Sequence, residues 1–277
     1  MSKFIKYNTN LTAATGGNFD NRALSGRPEF TAGNTYTTLT CGFTAQKSFI
    51  GYSLDSVESV LISCYNRVNT TLKCINRLYE SNLPKDLNFT IFLVDASSPD
   101  NTAVVVKKKY PDVNIFKGDS NLFWNSGMRV AWEMSLNYNK NFHFFLWLND
   151  DSFLDKDAII NIFECYNESL NSKYKESIIV GACRDNNKQF SYGGRTDAGP
   201  VIPNGKIQSC KYINGNVVLI SYNIYNKLGK LSSDYTHSMG DIDYGLRAMD
   251  ININCITTKQ FIGQCELKDF HGAYDPK

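Results

Sequence analysis

The chain has 277 residues, of which 42% are hydrophobic and 13% aromatic, so it is long enough to bury a sizeable core in one large domain or two small ones. Its 29 Lys and Arg residues are nearly balanced by 27 Asp and Glu residues, and a net charge of +2 argues against nucleic acid as the main partner. No apolar run approaches the length of a membrane span, and the first residues lack the apolar core of a signal peptide, so we expect a cytoplasmic protein.

Eight cysteines are spread along the chain, and none of them form a CxxC pair, so a structural zinc site is not expected. Most lie in apolar segments such as "VLISCYN" and "NIFECYN". Small sulfur side chains in such surroundings are typical of a protein core, and we therefore predict buried, reduced thiols.

Residues 1–55 differ from the rest of the chain in composition. They are rich in Thr, Asn and Gly and show no sustained period, which fits an irregular extension, a short β-rich cap or a disordered arm. We favour an extension that packs partly on the main domain, because its aromatic residues need burial. The predicted organisation is an N-terminal extension over residues 1–55 and one main domain over residues 56–277.

Strands and helices alternate after this extension. Short apolar runs predict strands at 57–64, 89–95, 113–118, 142–148 and 177–182. Apolar residues at helical spacing predict helices at 68–78, 100–110, 126–139 and 155–170. Ser98 or Asp100 is the expected N-cap of the second helix, and Asp155 that of the fourth. This alternation predicts an α/β fold with a mostly parallel sheet and helices on both faces.

Polar clusters follow four of these strands at the point where each strand ends. They are "YNR" at 65–67, "DASSPDNT" at 95–102, "GDSNLFWNSG" at 118–127 and "NDDS" at 149–152. Open α/β sheets bind ligands at the carboxyl ends of their strands. We therefore expect these clusters to meet and form a site.

The second and fourth clusters contain the most informative carboxylates. Asp150 and Asp151 follow Asn149 at a strand end, where they could hold a divalent cation that bridges a diphosphate. The alternative is a helix N-cap, a role that Asp155 serves better. Asp95 could accept hydrogen bonds from a nucleobase or a ribose hydroxyl, but a loop built from turn residues explains it equally well.

The third cluster joins a loop to the start of a helix. Backbone N–H groups and Asn side chains at such a start could face a phosphate or a sugar. Gly127 could equally serve only to permit a turn, and Trp124 could stack on a sugar ring or belong to the core. All these alternatives remain open for this segment.

A further acidic cluster, "HSMGDIDYGLRAMD" at 237–250, lies far along the chain. Asp241 and Asp243 open a predicted helix, and Asp243 is four residues from Arg247, which predicts a structural ion pair. Asp241 has no such partner. His237 could be a metal ligand, a substrate contact or a buried ring, and His271 suits Mn²⁺ or Zn²⁺ although a lone terminal histidine is commonly a surface residue.

Taken in order, the segments from residue 57 to the C-terminus resemble the family 2 glycosyltransferases of the GT-A fold, and within them a rhamnosyltransferase-like subgroup. The resemblance is carried by "VLISCYNR", "FLVDASSPDNT", "GDSNLFWNSGMRVA", "FLWLNDDS", "YINGNVVLIS" with "YNKLGKLSSDY", and "GDIDYGLRA". Each motif is loose, but six of them in the correct order are specific. The resemblance implies a GT-A, Rossmann-like sheet with an N-terminal extension.

The resemblance also implies residue roles. Asp95 would contact the base of a nucleotide sugar, and Asp241 would be the general base that deprotonates the acceptor hydroxyl. Asp151, with His271 as a further ligand, would bind the Mn²⁺ or Mg²⁺ that bridges the diphosphate. The implied donor-binding residues are Tyr65, Asn66, Arg67, Asp95, Asn121, Trp124, Asn125, Gly127, Asn149 and Asp150. The implied acceptor-side residues are Trp124, Asn214, Gly215, Asn216, His237 and Asp243.

Three positions depart from the family's pattern. Ala96 replaces the usual Asp or Asn, Asn149 replaces the first acid of the DxD motif, and Gly240 replaces the Glu that usually precedes the base. Asn149 weakens the expectation that a metal is required, and Gly240 leaves Asp241 without its usual neighbour. Asp151 and Asp241 themselves are present.

The expected function is that of an inverting hexosyl- or deoxyhexosyltransferase of polysaccharide biosynthesis. It would move a sugar from a UDP- or dTDP-linked donor to a glycan or a lipid-linked acceptor, in the cytoplasm or at the inner face of a membrane. The segment 190–205 would be a mobile loop whose Arg195 meets a phosphate or an acidic sugar. The alternatives are a non-catalytic nucleotide- or sugar-binding module and a nucleotidyltransferase, which would need a Gly- and Lys-rich loop that "CYNRVNTT" does not provide.

Overall fold

The computed structural model describes residues 56–138 and 142–267. The N-terminal extension, Cys41 and His271 lie outside the described residues, so the predicted domain boundary stays a prediction. The helices are α1 (Val68–Tyr79), α2 (Thr102–Lys109), α3 (Trp124–Tyr138), α4 (Ala158–Leu170), α5 (Tyr222–Leu228) and α6 (Gly240–Asp250). The strands are β1 (Ser56–Cys64), β2 (Leu87–Asp95), β3 (Asn114–Lys117), β4 (Phe142–Leu148), β5 (Phe153–Leu154), β6 (Ser177–Arg184), β7 (Phe190–Tyr192), β8 (Arg195–Thr196), β9 (Gly199–Pro200), β10 (Gln208–Cys210), β11 (Val217–Ser221) and β12 (Asn254–Gln264).

One large sheet organises the described part of the chain. Eight strands run in the order β3-β2-β1-β4-β11-β6-β12-β10, with β5 paired to β12 and β7 paired to β6. The pairs of β1 with β2 and β4, of β2 with β3, and of β6 with β12 are parallel, whereas β11 is antiparallel to both of its neighbours. The prediction of an α/β fold with a mostly parallel sheet is confirmed.

The core lies on both faces of the central strands. Strand β4, "FHFFLWL", is buried at six of its seven positions, as expected for a strand covered on both sides. Trp132 of α3 packs against Phe145 and Trp147 of β4, with ring centroids 5.2 and 5.7 Å apart. The ring of Trp124, at the start of α3, lies 6.1 Å from that of Trp147, so the start of this helix is close to the end of β4, where two of the polar clusters lie.

The predicted N-caps were wrong for two helices. Helix α4 begins after Asp157, while Asp155 forms a bidentate ion pair with Arg184 at 2.6 and 2.9 Å. The planar guanidinium on β6 is a stronger partner for that carboxylate than a backbone N–H group. Helix α2 begins after Asn101 rather than Ser98 or Asp100, although Asp100 still accepts a hydrogen bond from the Thr102 N–H at 3.1 Å.

The segment predicted as a loop over the site has regular structure. Within 190–205, strand β7 extends the main sheet beside β6, and β8 pairs with β9 in a separate two-stranded hairpin. Seven of the eight cysteines lie in the described ranges, and all seven are buried and have free thiols, as predicted. Within the described residues, no helix is both long enough and apolar enough to cross a membrane.

Candidate functional site

A cleft of about 1290 Å³ opens at the carboxyl ends of the central strands. The end of β1 and the residues that follow it form one side, the loop that leads into α3 forms another, and β7 with the β8–β9 hairpin forms a third. Five of the predicted site residues line it: Tyr65, Arg67, Trp124, Asn214 and His237. Residues of the first and third polar clusters therefore meet at one edge of the sheet, as the alternating pattern predicts.

Arg67 joins the first and fourth polar clusters. It directly precedes α1, and its two terminal nitrogens lie 2.5 Å from Asp150 Oδ1 and 2.8 Å from Asp151 Oδ2. The Thr71 hydroxyl, one turn along α1, donates to the second oxygen of Asp150 at 2.9 Å. Desolvation lowers the pKa of the Arg67 guanidinium, but the negative charges of Asp150 and Asp151 outweigh it, so the pKa is raised.

Asn149 is held by contacts with two neighbouring segments. The Trp124 indole N–H donates to its side-chain oxygen at 2.5 Å, and its amide nitrogen lies 3.3 Å from Asn216 Oδ1. Asn216 in turn donates to the Ser152 hydroxyl at 3.1 Å and to the Cys265 sulfur at 3.0 Å. These bonds tie the end of β4 to the start of β11 and to the end of β12.

A divalent cation, which the resemblance implies, would need the side chains around Asp151 as ligands. Hard cations need several oxygen ligands in one place. In residues 56–138 and 142–267, no group of three or more His, Cys, Asp or Glu side chains is placed to hold a metal ion. Both carboxylates face Arg67 and the oxygen of Asn149 faces Trp124, so these side chains do not fit a metal as they are arranged. His271 lies outside the described residues.

Asp241 lies at the start of α6, beside the cleft wall. Its Oδ2 accepts a hydrogen bond from the Gly215 N–H at 2.8 Å, and its Oδ1 accepts one from the Ile242 N–H at 2.9 Å. Burial raises the pKa of the Asp241 carboxyl above its usual value, although these N–H groups act in the opposite direction. A carboxylate with a raised pKa is a better base, which is the property that proton abstraction needs.

Gly215 connects Asp241 to Trp124. A Cβ atom added to Gly215 would lie 2.4 Å from the six-membered ring of Trp124, so the absence of a side chain lets the indole pack directly on this backbone. Trp124 and Asn214 both line the cleft. Asp241 therefore bonds to Gly215, which follows Asn214 of the cleft lining, and is not itself one of the lining residues.

The predicted ion pair on α6 is confirmed. Arg247 Nε lies 2.8 Å from Asp243 Oδ2, and the same guanidinium donates to the carbonyl oxygens of Leu228 and Lys230 at 3.1 and 3.2 Å. These bonds fasten α6 to the segment that follows α5. Asp243 is therefore engaged in holding the helix, and its acceptor-side role stays a prediction.

Asp95 is fully buried at the end of β2. One of its oxygens accepts from the Ser98 N–H at 2.9 Å and the other from the Ala103 N–H at 3.1 Å. Its carboxylate therefore closes the loop between β2 and α2 and caps that helix. A direct contact with a nucleobase stays a prediction.

The remaining predicted residues take different positions. Gly127 packs against β1, because an added Cβ would lie 2.2 Å from the Ser63 hydroxyl. Asn125 is completely buried and donates to the carbonyl oxygens of Ser232 and Tyr235. Asn66 adopts a left-handed backbone with a φ of 53°, and its N–H donates to the Ser98 hydroxyl at 2.8 Å. Asn121 is exposed, and its N–H donates to Asp119.

Some residues of the site were not predicted from the sequence. Thr71 and Cys265 contact the two carboxylates, the latter with its sulfur 3.8 Å from Asp151 Oδ1. Residues 189–193, which overlap the segment 190–205 that the sequence predicts over the site, line the cleft from the β7 side. Thr71 lies four residues after Arg67, so helical spacing alone could have placed both on one face of α1. For Cys265 there is no such local signal, because it reaches the site through the pairing of β12 with β6, which is distant in sequence.

Comparison with solved structures shows the fold. Residues 1–349 of TarS from S. aureus superpose with a TM-score of 0.55 at 14% identity, over 76% of this chain and 60% of that one. The same TarS segment in complex with UDP gives a TM-score of 0.54 at 13% identity, over 77% of this chain and 61% of that one. The mannosyltransferase PcManGT from Pyrobaculum calidifontis, in complex with GDP-Man and Mn²⁺, gives a TM-score of 0.53 at 14% identity, over 86% of this chain and 66% of that one. The chain thus spans less than two thirds of each of these structures.

Comparison of the sequence identifies the family. No curated protein matches the chain at a significant level. The model of the family described as "Glycosyl transferase family 2" matches residues 59–197, which is half of the chain and includes most of β1, the carboxylates after β4 and the β8 strand. The chain belongs to glycosyl transferase family 2 and has the GT-A fold.

Proposed function

We propose that this protein transfers a sugar from a nucleotide-sugar donor to a hydroxyl group of an acceptor. Family membership and the GT-A fold support sugar transfer in general. The observation that carries the proposal is the position of Asp241, which is held by the Gly215 N–H behind the cleft wall and has a raised pKa. A non-catalytic binding module would need the cleft but would have no use for such a base.

In the proposed reaction, Asp241 accepts the proton of the acceptor hydroxyl. The oxygen of that hydroxyl attacks the anomeric carbon of the donor, and the bond from that carbon to the diphosphate oxygen breaks. The nucleoside diphosphate leaves with the bonding electrons. A single displacement of this kind inverts the anomeric centre, and no covalent bond between enzyme and sugar is needed.

The identity of the substrates is the finer part of the proposal. We infer a hexose or deoxyhexose carried by UDP or dTDP, and a glycan or lipid-linked sugar as the acceptor. These features are typical of a rhamnosyltransferase-like enzyme of polysaccharide biosynthesis that works in the cytoplasm or at the inner face of a membrane. Because one solved neighbour contains UDP and another contains GDP-Man with Mn²⁺, the donor panel for any test includes both nucleotides.

The test is release of nucleoside diphosphate from UDP-, dTDP- and GDP-linked sugars in the presence of soluble and lipid-linked glycans. We expect one donor class to support release. Asp241→Asn should lower the rate at least about 100-fold, since a positioned general base contributes on the order of 10²–10⁴. The matched control is Asp250→Asn at the exposed end of the same helix, which should leave the rate unchanged.

The outcomes separate the two candidate functions. Nucleotide binding without release from any donor would favour the binding module. Release that Asp241→Asn leaves undiminished would retain a transferase but remove Asp241 as its base.

A further inference from the structure

Asp150 and Asp151, the carboxylates that a divalent cation would need, already form ion pairs with Arg67. Arg67 spans Asp150 and Asp151: one terminal nitrogen lies 2.5 Å from Asp150 Oδ1 and the other 2.8 Å from Asp151 Oδ2, so each carboxylate accepts one charge-assisted hydrogen bond. Asp150 is only 1% exposed, and Thr71 takes its other oxygen. A metal ion entering here would have to displace Arg67 from a largely enclosed pair of negative charges.

Asn149, at the first position of the DxD-like motif, does not compensate for this. An aspartate in place of Asn149 would bring another negative charge to the end of β4, but the amide brings none. Its oxygen accepts the Trp124 indole N–H, which fixes a side chain of the cleft lining. Asn149 therefore acts as a hydrogen-bond acceptor for Trp124, a role that does not require a metal.

The cleft that Arg67 faces is suited to an anion. The side chain of Arg67 is 34% exposed and belongs to the cleft lining, and its guanidinium retains N–H donors that the two aspartates do not use. Arg195 and His237 line the same cleft. Among the described residues that line the cleft, none is Asp or Glu, so Asp150 and Asp151, which pair with Arg67, lie behind the lining and not in it.

We propose that Arg67, oriented by Asp150 and Asp151, takes the place of a divalent cation and binds the diphosphate of the donor directly. The inference rests on the proposed function, because it assigns the ligand of the same cleft. In this arrangement the two aspartates are positioning residues: they hold the guanidinium so that its remaining donors face the leaving group. Arginine suits this task, since its planar fork binds carboxylates and phosphates alike.

The experiment is calorimetric titration of the full chain with UDP, dTDP and GDP, in EDTA and in Mn²⁺. We expect one nucleotide to bind in EDTA, with a dissociation constant that changes less than about threefold when Mn²⁺ is added. Arg67→Gln should weaken binding in EDTA by roughly tenfold or more, because a charge-assisted hydrogen bond to the diphosphate is lost. The nucleotide affinity of Arg67→Lys should lie between those of the wild type and Arg67→Gln, since lysine keeps the positive charge but lacks the planar guanidinium.

The matched control is Arg184→Gln. Arg184 also uses both of its terminal nitrogens in ion pairing, in this case with the single carboxylate of Asp155, but it does not belong to the cleft lining. Its loss should leave nucleotide affinity unchanged, whereas a purely structural effect of losing an ion pair would appear in both variants. Thermal unfolding of each variant shows whether it is folded.

A second measurement does not depend on nucleotide affinity. Removing the guanidinium in Arg67→Gln should expose the carboxylates, so electron paramagnetic resonance should detect more bound Mn²⁺ in this variant than in the wild type. Nucleotide binding that requires Mn²⁺, or that Arg67→Gln leaves intact, would overturn the inference while the proposed function stands. Absence of binding by every nucleotide in both conditions would remove the proposed function and the inference with it.

Discussion

Asn125 and Gly240 fit together without room for a further atom. A Cβ on Gly240 would lie 1.9 Å from Asn125 Oδ1, and Asn125 is completely buried at the start of α3. Its amide nitrogen donates to the carbonyl oxygens of Ser232, at 2.9 Å, and Tyr235. Asn125 thus fixes the segment leading to α6, and Gly240, which stands where the family usually has Glu, permits this contact one residue before Asp241.

The first prediction concerns this contact. Gly240→Ala should lower the free energy of unfolding by about 1–3 kcal/mol, because the added methyl group overlaps a buried side chain. Urea denaturation measures this, with the exposed Ser238→Ala as the control expected to change stability by less than about 0.5 kcal/mol.

A double-mutant cycle checks the cause. Asn125→Ala should itself be destabilising by about 1–3 kcal/mol, because two carbonyl oxygens lose their donor. The double variant should then be more stable than the sum of the two single effects predicts, because the clash is gone. Strict additivity would show that Gly240 is needed for a reason other than Asn125.

The second prediction follows from the raised pKa of Asp241. A raised pKa means that ionising this carboxyl is harder in the folded state than in the unfolded chain. Its contribution to stability is therefore full below the ordinary pKa of aspartate and is lost as the pH rises through the folded-state value. Asp241→Asn, which cannot ionise, should be more stable than the wild type at neutral pH.

This advantage should shrink as the pH is lowered towards the ordinary pKa of aspartate. Urea denaturation of both proteins at a series of pH values measures the difference. An advantage that stays constant with pH would show that it does not come from the ionisation of Asp241. A base held at a cost to stability is a feature expected of an active site.

The third prediction uses the three tryptophans of the chain. Trp132 and Trp147 are completely buried, whereas Trp124 lines the cleft with its ring centroid 6.1 Å from that of Trp147. A ligand that fills the cleft should therefore change the intrinsic fluorescence mainly through Trp124. Trp124→Phe should abolish most of the response to a bound nucleotide sugar, and Trp132→Phe should retain it; a response lost equally in both would place the ligand elsewhere.

The fourth prediction separates two roles of Asp95. Both of its oxygens accept backbone N–H groups of the loop after β2, so Asp95→Ala should lower the free energy of unfolding by about 1–3 kcal/mol even without a ligand. The control is Asp234→Ala at an exposed position. If Asp95→Ala weakened nucleotide binding with no loss of stability, a direct contact with the base would be favoured instead.

Local pattern was sufficient to predict the half of the sheet that is built from β1 to β4. Strand β4 was predicted with its observed bounds, 142–148, because a continuous apolar run ends abruptly at Asn149. Strand β12, residues Asn254–Gln264, was missed because "NCITTKQFIGQ" mixes polar and apolar residues without a clean period. Its place in the sheet comes from pairing with β6 and β10, which are distant in sequence.

In the site, too, local pattern predicts some features, whereas others depend on contacts between residues that are distant in sequence. The sequence places Asp150, Asp151 and Asp241 at strand and helix ends, which is where the structure has them. It could not show that Arg67 spans the first two, because that contact joins residues 83 and 84 positions apart. Nor could it show that a side chain at Gly240 would overlap the buried Asn125, because that residue lies on another helix.

The measurement that tests the central claim most directly is the anomeric configuration of the product, followed by proton NMR while the enzyme consumes the nucleotide sugar that supports release. The account predicts that the new glycosidic bond has the configuration opposite to that in the donor, and that Asp241→Asn forms no detectable product in the same time. A product that retains the donor's configuration, or one formed equally fast by Asp241→Asn, would contradict a single displacement with Asp241 as the base.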